Sequence, residues 1–239
     1  MKQSIGRIVL SIIMILVLAS VIDAQAGPII RLPEELFDFG FVPEGLKATH
    51  RYWVVNDGDD TLLIQRVQPT CGCTTVPLPT DQVSPGDSVP LDLVFDTQRF
   101  KGKVYKSVHV YSNEKRIVDS AEVNLRRIYF MAEIGREDDY VKVEPQTAYL
   151  DTVGKTEQVI TVTNKDDKPY TVRVSSQPPS YLELDIPKEV IAPKSQAKIV
   201  LREGPDTPIG DYTGSMTFTF EGPRTFSVTV PIYGMGYYH

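Results

Sequence analysis

Two cysteines occur in the 239-residue chain, one residue apart, in the stretch Thr70-Cys71-Gly72-Cys73-Thr74. Paired sulfurs can form a disulfide, carry electrons as a reactive dithiol, or hold a soft metal ion. In an extended segment, residues i and i+2 lie about 6.5–7 Å apart at Cα, at the long edge of disulfide geometry. Gly72 gives the backbone freedom to turn and close that gap. A bridge of this span closes almost no chain entropy, so it is expected to be strained, readily reduced and of little structural weight. As metal ligands the two thiolates suit Cu(I), whereas a structural zinc site wants four ligands. The pair stays open between a vicinal disulfide, free or redox-active thiols, a metal site, and a bridge to another chain.

The other chemistry-bearing residues do not converge on it. His50, His109 and His239 are the only histidines, and none stands at a recognisable ligand spacing from the pair. His50 reads as opening a strand, and His109, between Val108 and Val110, is expected to face solvent. Met235 and His239 could reach a soft metal, but they read as a frayed tail. The acidic stretches "NDGDD" and "NKDD" lack the spaced ligand ladder of a calcium loop and suit hairpin turns. No nucleophile elbow, phosphate loop or zinc-protease helix motif is present. The expectation is a protein that is not an enzyme and needs no cofactor.

The elements that must position these residues are strands. Short runs with two-residue alternation, such as "HRYWVVNDGDD", "SVPLDLVFD" and "GSMTFTFEG", are broken by 18 prolines, 16 glycines and acidic turns. Two stretches repeat at a constant offset of 108 residues: Asn56 falls on Asn164, Pro85 on Pro193, and Tyr52 and Val54 on Ile160 and Val162. Leu91 and Leu93 fall on Ile199 and Leu201, and Val108 and Val110 on Met216 and Phe218. Each copy has the length and the roughly seven strands of an immunoglobulin-like sandwich. The predicted architecture is all-β: two tandem immunoglobulin-like β-sandwich domains, 27–134 and 141–239, with a charged linker at 135–140. The run "RRIYFMAEI" before the linker is expected to be partly covered by the second domain. Phe37 and Phe39 should alternate into the core, with Gly40 and Gly45 in turns. Trp53 lies opposite to Tyr52 and Val54 on its strand, so it is expected at the surface or in an interface, where a lone Trp makes a good anchor.

The N-terminus predicts export. Lys2 and Arg7 precede an apolar run, Ile8 to Ile22, and the small residues of Ala24-Gln25-Ala26 follow. That is the pattern of a signal peptide over 1–26, cleaved after Ala26, and too short for a permanent anchor. The net charge of −6 argues against nucleic acid as a partner. A bacterial periplasm or cell envelope is the expected location, with no membrane insertion after cleavage.

The order of "FDFGFVPEG", "ATHRYWVVNDGDDTLLI", "CGCT" and "VSPGDSVPLDLVFD" resembles a family of exported bacterial domains of unknown function. That family is related to the ASH (hydin-type) and PapD-like branch of immunoglobulin folds. The resemblance spans about Leu36 to Leu125 and implies the fold, with no established activity. The second copy lacks the signature: at the same offset Cys71 becomes Pro179 and Cys73 becomes Tyr181.

Together these features predict a non-enzymatic exported interaction or assembly module whose partner is another envelope or secreted protein. Cys71 and Cys73, with Thr70, Gly72, Thr74 and Trp53, are the candidate contact residues. The alternative is a thiol redox or copper-handling protein using Cys71 and Cys73; the third reading is a PapD-like periplasmic chaperone.

Overall fold

In the computed structural model, residues 27–151 and 154–237 are described. The expected signal peptide and His239 lie outside them. The first copy supplies β1 (Ile30–Arg31), β2 (Leu36–Val42), β3 (Lys47–Asn56), β4 (Leu62–Pro69), β5 (Thr74–Thr75), β6 (Gln82–Val83), β7 (Ser88–Asp96), β8 (Gly102–Val118) and β9 (Ala121–Ile134). The second supplies β10 (Val141–Glu144), β11 (Ala148–Asp151), β12 (Glu157–Asn164), β13 (Thr171–Val174), β14 (Leu182–Asp185), β15 (Gln196–Glu203), β16 (Gly210–Glu221) and β17 (Thr225–Gly236). No helix occurs among the described residues. The chain is all-β, two immunoglobulin-like β-sandwiches in tandem.

The alternation read in the sequence is the alternation of burial. Along β3 the pattern runs exposed, buried, half-buried, buried, so that Ala48, His50, Tyr52 and Val54 point inward. They meet Val89, Leu91, Leu93 and Phe95 of β7, which are also buried. Phe39, Phe95 and Phe130 pack ring to ring at 6.1 and 5.0 Å, contacts that contribute about 0.5–1.5 kcal/mol each beyond area burial. The buried hydrophobics fall into two clusters, one from Ile30 to Ile134 and one from Val141 to Ile232.

The 108-residue offset holds at the level of hydrogen bonds. Tyr52 pairs with Leu91, and Ile160 with Ile199; Leu62 pairs with Val83, and Tyr170 with Ile191. Asn56, fully buried, donates through Nδ2 to the carbonyls of Asp60 and Val83, while its Oδ1 accepts from Gly58 N–H. Asn164 repeats this with Lys168, Ile191 and Asp166. A buried amide that joins two turns across a sandwich must satisfy all its polar atoms, and both copies solve this identically.

Each sandwich lays the second of its strands parallel to its last: β2 on β9, and β11 on β17. The two copies then join through a parallel contact of β17 with β2 at Val228 and Phe41, which makes one nine-stranded sheet run through both. Gly40 permits this. Its φ is +62°, and a Cβ there would sit 1.9 Å from the carbonyl oxygen of Ser227. The sequence placed Gly40 in a turn; its role is the close approach of the second copy. Gly45, with φ +79°, does sit in the turn between β2 and β3.

Beside that contact, the outward face of β16 and β17 carries hydroxyls: Ser215, Thr217, Thr219, Ser227 and Thr229. Thr217 bonds Thr229, Thr219 bonds Ser227, and Thr229 donates to the carbonyl of Phe39. β1 covers β3 only at its C-terminal end, leaving main-chain groups near Thr49 unpaired by any strand. Ser215 and the Tyr233 hydroxyl satisfy them, at Thr49 and Lys47 respectively. An unpaired strand edge invites association with other chains, and here the second copy covers it.

The segment 135–140 is held at both ends. Gly135 N–H donates to Val42 C=O, and the buried Asp138 accepts from Tyr140 and Val141 N–H and from Arg224. Met131, Ala132 and Glu133 of the "RRIYFMAEI" run line a cleft of about 430 Å³ with Thr225, Phe226 and Ser227 of the second copy.

Candidate functional site

The cysteine loop links β4 to β5 at one end of the first sandwich. Thr70 starts it, its N–H and hydroxyl both donating to Ser107 C=O on β8. At the other side Thr74 pairs with Phe95, and Asp96 N–H donates to Cys73 C=O. Between these fixed points the backbone turns at the exposed Gly72. The Cα atoms of Cys71 and Cys73 come within 5.3 Å, and the two sulfurs are joined in a disulfide. The turn removes the distance problem that an extended segment would pose.

The two sulfurs stand in different surroundings. Cys73 packs against the first core, whereas Cys71 stands outside it. The hydroxyl of Thr74, a residue only 5% exposed, lies 3.5 Å from Cys71 Sγ and 3.7 Å from Cys73 Sγ. In front of the loop is an open pocket of about 330 Å³, lined by Cys71, Gly72, Cys73, Asp96, Gln98, Arg99 and Phe100. Lys106 lies over the Phe100 ring, 4.9 Å from its centre. The pocket therefore combines a sulfur pair, an aromatic ring and one cationic side chain, Arg99. Its one carboxylate, Asp96, accepts from Gln98 N–H.

The internal repeat supplies a structural counterpart. Tyr181 C=O accepts from Gly204 N–H as Cys73 C=O does from Asp96 N–H, and Leu182 pairs with Glu203 as Thr74 does with Phe95. These are the same positions at the same offset. The second copy's loop, however, is occupied. Gln177, Pro178, Pro179 and Tyr181 line a narrow cleft with Thr49, Arg51 and Asp92 of the first copy. Arg51 grips Asp92 through Nε and Nη2 at 2.6 and 2.8 Å, and that hydrogen bonding raises the guanidinium pKa. Burial pushes the Tyr181 hydroxyl up, with Arg51 opposing.

Trp53 belongs to this seam. Its indole N–H donates to Gln177 Oε1 at 3.2 Å, so the anchor is met within the chain. His50 lies inside β3 rather than at its start. It is buried, with its ring stacked on Phe37 at 3.5 Å and Nε2 2.7 Å from Glu34. His109 is half-buried on the outward face of β8, near Tyr111. Neither histidine approaches the disulfide loop, and among the described residues no His, Cys, Asp or Glu side chains cluster as a metal site would require. The acidic turns are occupied locally: Asp57 binds Arg31, and Asp166 accepts from Tyr170 and from Asp167 and Lys168 N–H. What the sequence did not disclose is the pocket wall from Asp96 to Phe100; the run "DTQRFKGK" reads only as a polar connection.

Residues 30–125 match the model of a family described as protein of unknown function (DUF1573). No curated protein matches the chain. Among solved structures, a protein of unknown function from Porphyromonas gingivalis W83 aligns at 11% identity and a TM-score of 0.34, over 85% of this chain and 98% of that one. The Escherichia coli chaperone DraB aligns at 12% and 0.36, over 84% and 98%. The Vibrio cholerae VesB protease aligns at 9% and 0.36; the match covers 44% of this chain and only 31% of the protease.

Proposed function

We propose that this chain is an exported, non-enzymatic protein-binding module of the cell envelope, and that it takes its partner on the cysteine-loop end of the first copy. One observation carries the reading. The equivalent loop of the second copy already faces the first, since Gln177 accepts from the Trp53 indole and Gln177 to Tyr181 line a cleft with Arg51 and Asp92. The first copy holds the same loop in the same register, with an open pocket beside it that no other described residue covers. The N-terminal charge and hydropathy pattern supports export. The partner is a folded protein that offers a surface to the disulfide loop, Arg99 and Phe100.

The chaperone reading has less support. Donation of a strand needs a long open edge; the terminal strands β1, β5, β6, β10, β13 and β14 are two to four residues long, and β7, which β5 covers only at Val94 and Phe95, is a longer edge it would have to use.

Site-specific photo-crosslinking in the native envelope tests the binding end. A benzophenone amino acid at Gln98 is expected to give a discrete adduct that excess unlabelled chain competes away. The same group at Asp87, in the turn at the opposite end of β7, is expected to give none. Equal adducts at both positions, or none at either, would overturn the reading.

A further inference from the structure

The disulfide contributes little that the sandwich needs. It closes a ring across a single intervening residue, so it removes almost no conformational freedom from the unfolded chain. The second copy reaches the same register with Pro179 and Tyr181. A link without structural weight, at the mouth of an open pocket, is available for exchange.

We propose that Cys71–Cys73 is a thiol–disulfide exchange site that accepts two electrons from a dithiol on the bound protein. The proposal rests on the cysteine-loop end being the binding end, and adds chemistry to it. The asymmetry of the pair assigns the roles. Cys71 stands outside the core and is the sulfur attacked; Cys73, packed against the core, is the leaving sulfur. The Thr74 hydroxyl, 3.5 Å from Cys71 Sγ and 3.7 Å from Cys73 Sγ on a residue fixed by pairing with Phe95, is placed to hydrogen-bond the thiolate that leaves, and solvent supplies the proton. Arg99, in the pocket wall beside the sulfurs, adds positive charge, and such charge favours thiolates.

The step balances as follows. A partner thiolate attacks Cys71 Sγ; the Cys71–Cys73 bond breaks, and its electron pair goes to Cys73 Sγ, which takes up a proton. The partner's second thiol loses its proton and attacks the partner sulfur of the mixed disulfide. Cys71 then leaves as a thiolate and is protonated. The partner's dithiol is oxidised to a disulfide, and Cys71 and Cys73 are reduced to two thiols. Two electrons and two protons have moved to this chain.

The test uses the full mature chain with two probes. Reduced glutathione, a monothiol, is expected to form a mixed disulfide. Alkylation and peptide mass spectrometry should then find glutathione on Cys71 and the alkyl group on Cys73. A synthetic peptide carrying two thiols is expected to be oxidised in one-to-one stoichiometry. Thr74→Val should slow that reaction about tenfold while unfolding at the same denaturant concentration. Glutathione found on Cys73, or a disulfide that survives a hundredfold excess of the peptide, would overturn the proposal. Cys71→Ser/Cys73→Ser separates the two readings. Loss of peptide oxidation with the Gln98 crosslink retained is the expected result. A wild type that crosslinks but does not oxidise ends the exchange proposal alone, and one that oxidises but does not crosslink ends the binding reading alone.

Discussion

The hydroxyl of Ser215 satisfies both main-chain groups of Thr49, accepting from its N–H at 2.8 Å and donating to its C=O at 2.9 Å. A side chain of the second copy thus takes the place of a missing strand beside β3. Ser215→Ala removes two hydrogen bonds from the half-buried main chain of Thr49 and should cost about 1–3 kcal/mol. Urea unfolding of the full chain checks this. The control is Ser107→Ala, at the equivalent position of the first copy, which should stay within about 0.5 kcal/mol.

Gly40→Ala should separate the copies while sparing their cores. The added methyl meets Ser227 main chain at a distance no packing tolerates, and φ is positive as well. The expected loss is at least about 2 kcal/mol. Trp53 reports it, being the only Trp and bonded to Gln177 across the seam. Its emission should shift red, while small-angle scattering shows a longer particle. An unshifted emission would count against the close approach as the clamp.

Asn56→Ala and Asn164→Ala should cost nearly the same, because each amide performs the same bonding in its own copy. Losing a buried amide that ties two turns is expected to cost about 2–4 kcal/mol. Calorimetry of both variants should show equal lowering of the transition of the copy that carries the change. A large inequality would mean that the two turns bear different loads.

Stability should fall above about pH 10. Burial pushes the Tyr52 hydroxyl well above the usual phenol range, with the Glu34 charge adding to it; burial and the hydrogen bond to Glu203 do the same for Tyr212. These phenols hold their protons in the folded chain after the unfolded chain begins to lose them near pH 10. The unfolded state then binds fewer protons, so the stability they contribute is complete below pH 10 and lost as pH rises. Urea midpoints from pH 8 to 11.5 should be flat and then decline. A midpoint constant to pH 11.5 would contradict the assignment.

Period-two patterning and the 108-residue repeat made the sandwiches legible, because inward positions such as Tyr52, Leu91, Ile160 and Ile199 must be apolar whatever surrounds them. The outward positions carried no such information. Ser215, Thr217 and Thr219 alternate with the apolar Met216 and Phe218, and a hydroxyl bonds a strand edge as well as it bonds water. Gly40 showed a special backbone without showing what approaches it. His50 read as opening a strand, because a polar ring gives no sign in sequence that Phe37 will stack on it. The cysteine loop was conspicuous from composition, but its pocket wall came from a later connection, Asp96 to Phe100, that lies beside it only once β7 and β8 are in place.

A contact between unlike surfaces, applied repeatedly, generates a ring or an open filament. The two copies meet in this way, the hydroxyl face of β16 and β17 against the edge of β3, which leaves one unused surface of each kind on the molecule. Neither can repeat the contact. Where the second copy has Thr217 and Thr219, the first has His109 and Tyr111, with Arg66 stacked 4.2 Å above the Tyr111 ring. Where the first copy has Thr49, the second has Glu157, ion-paired with Arg202. The contact that joins the two copies is therefore not prepared for repetition at either of these two outer surfaces.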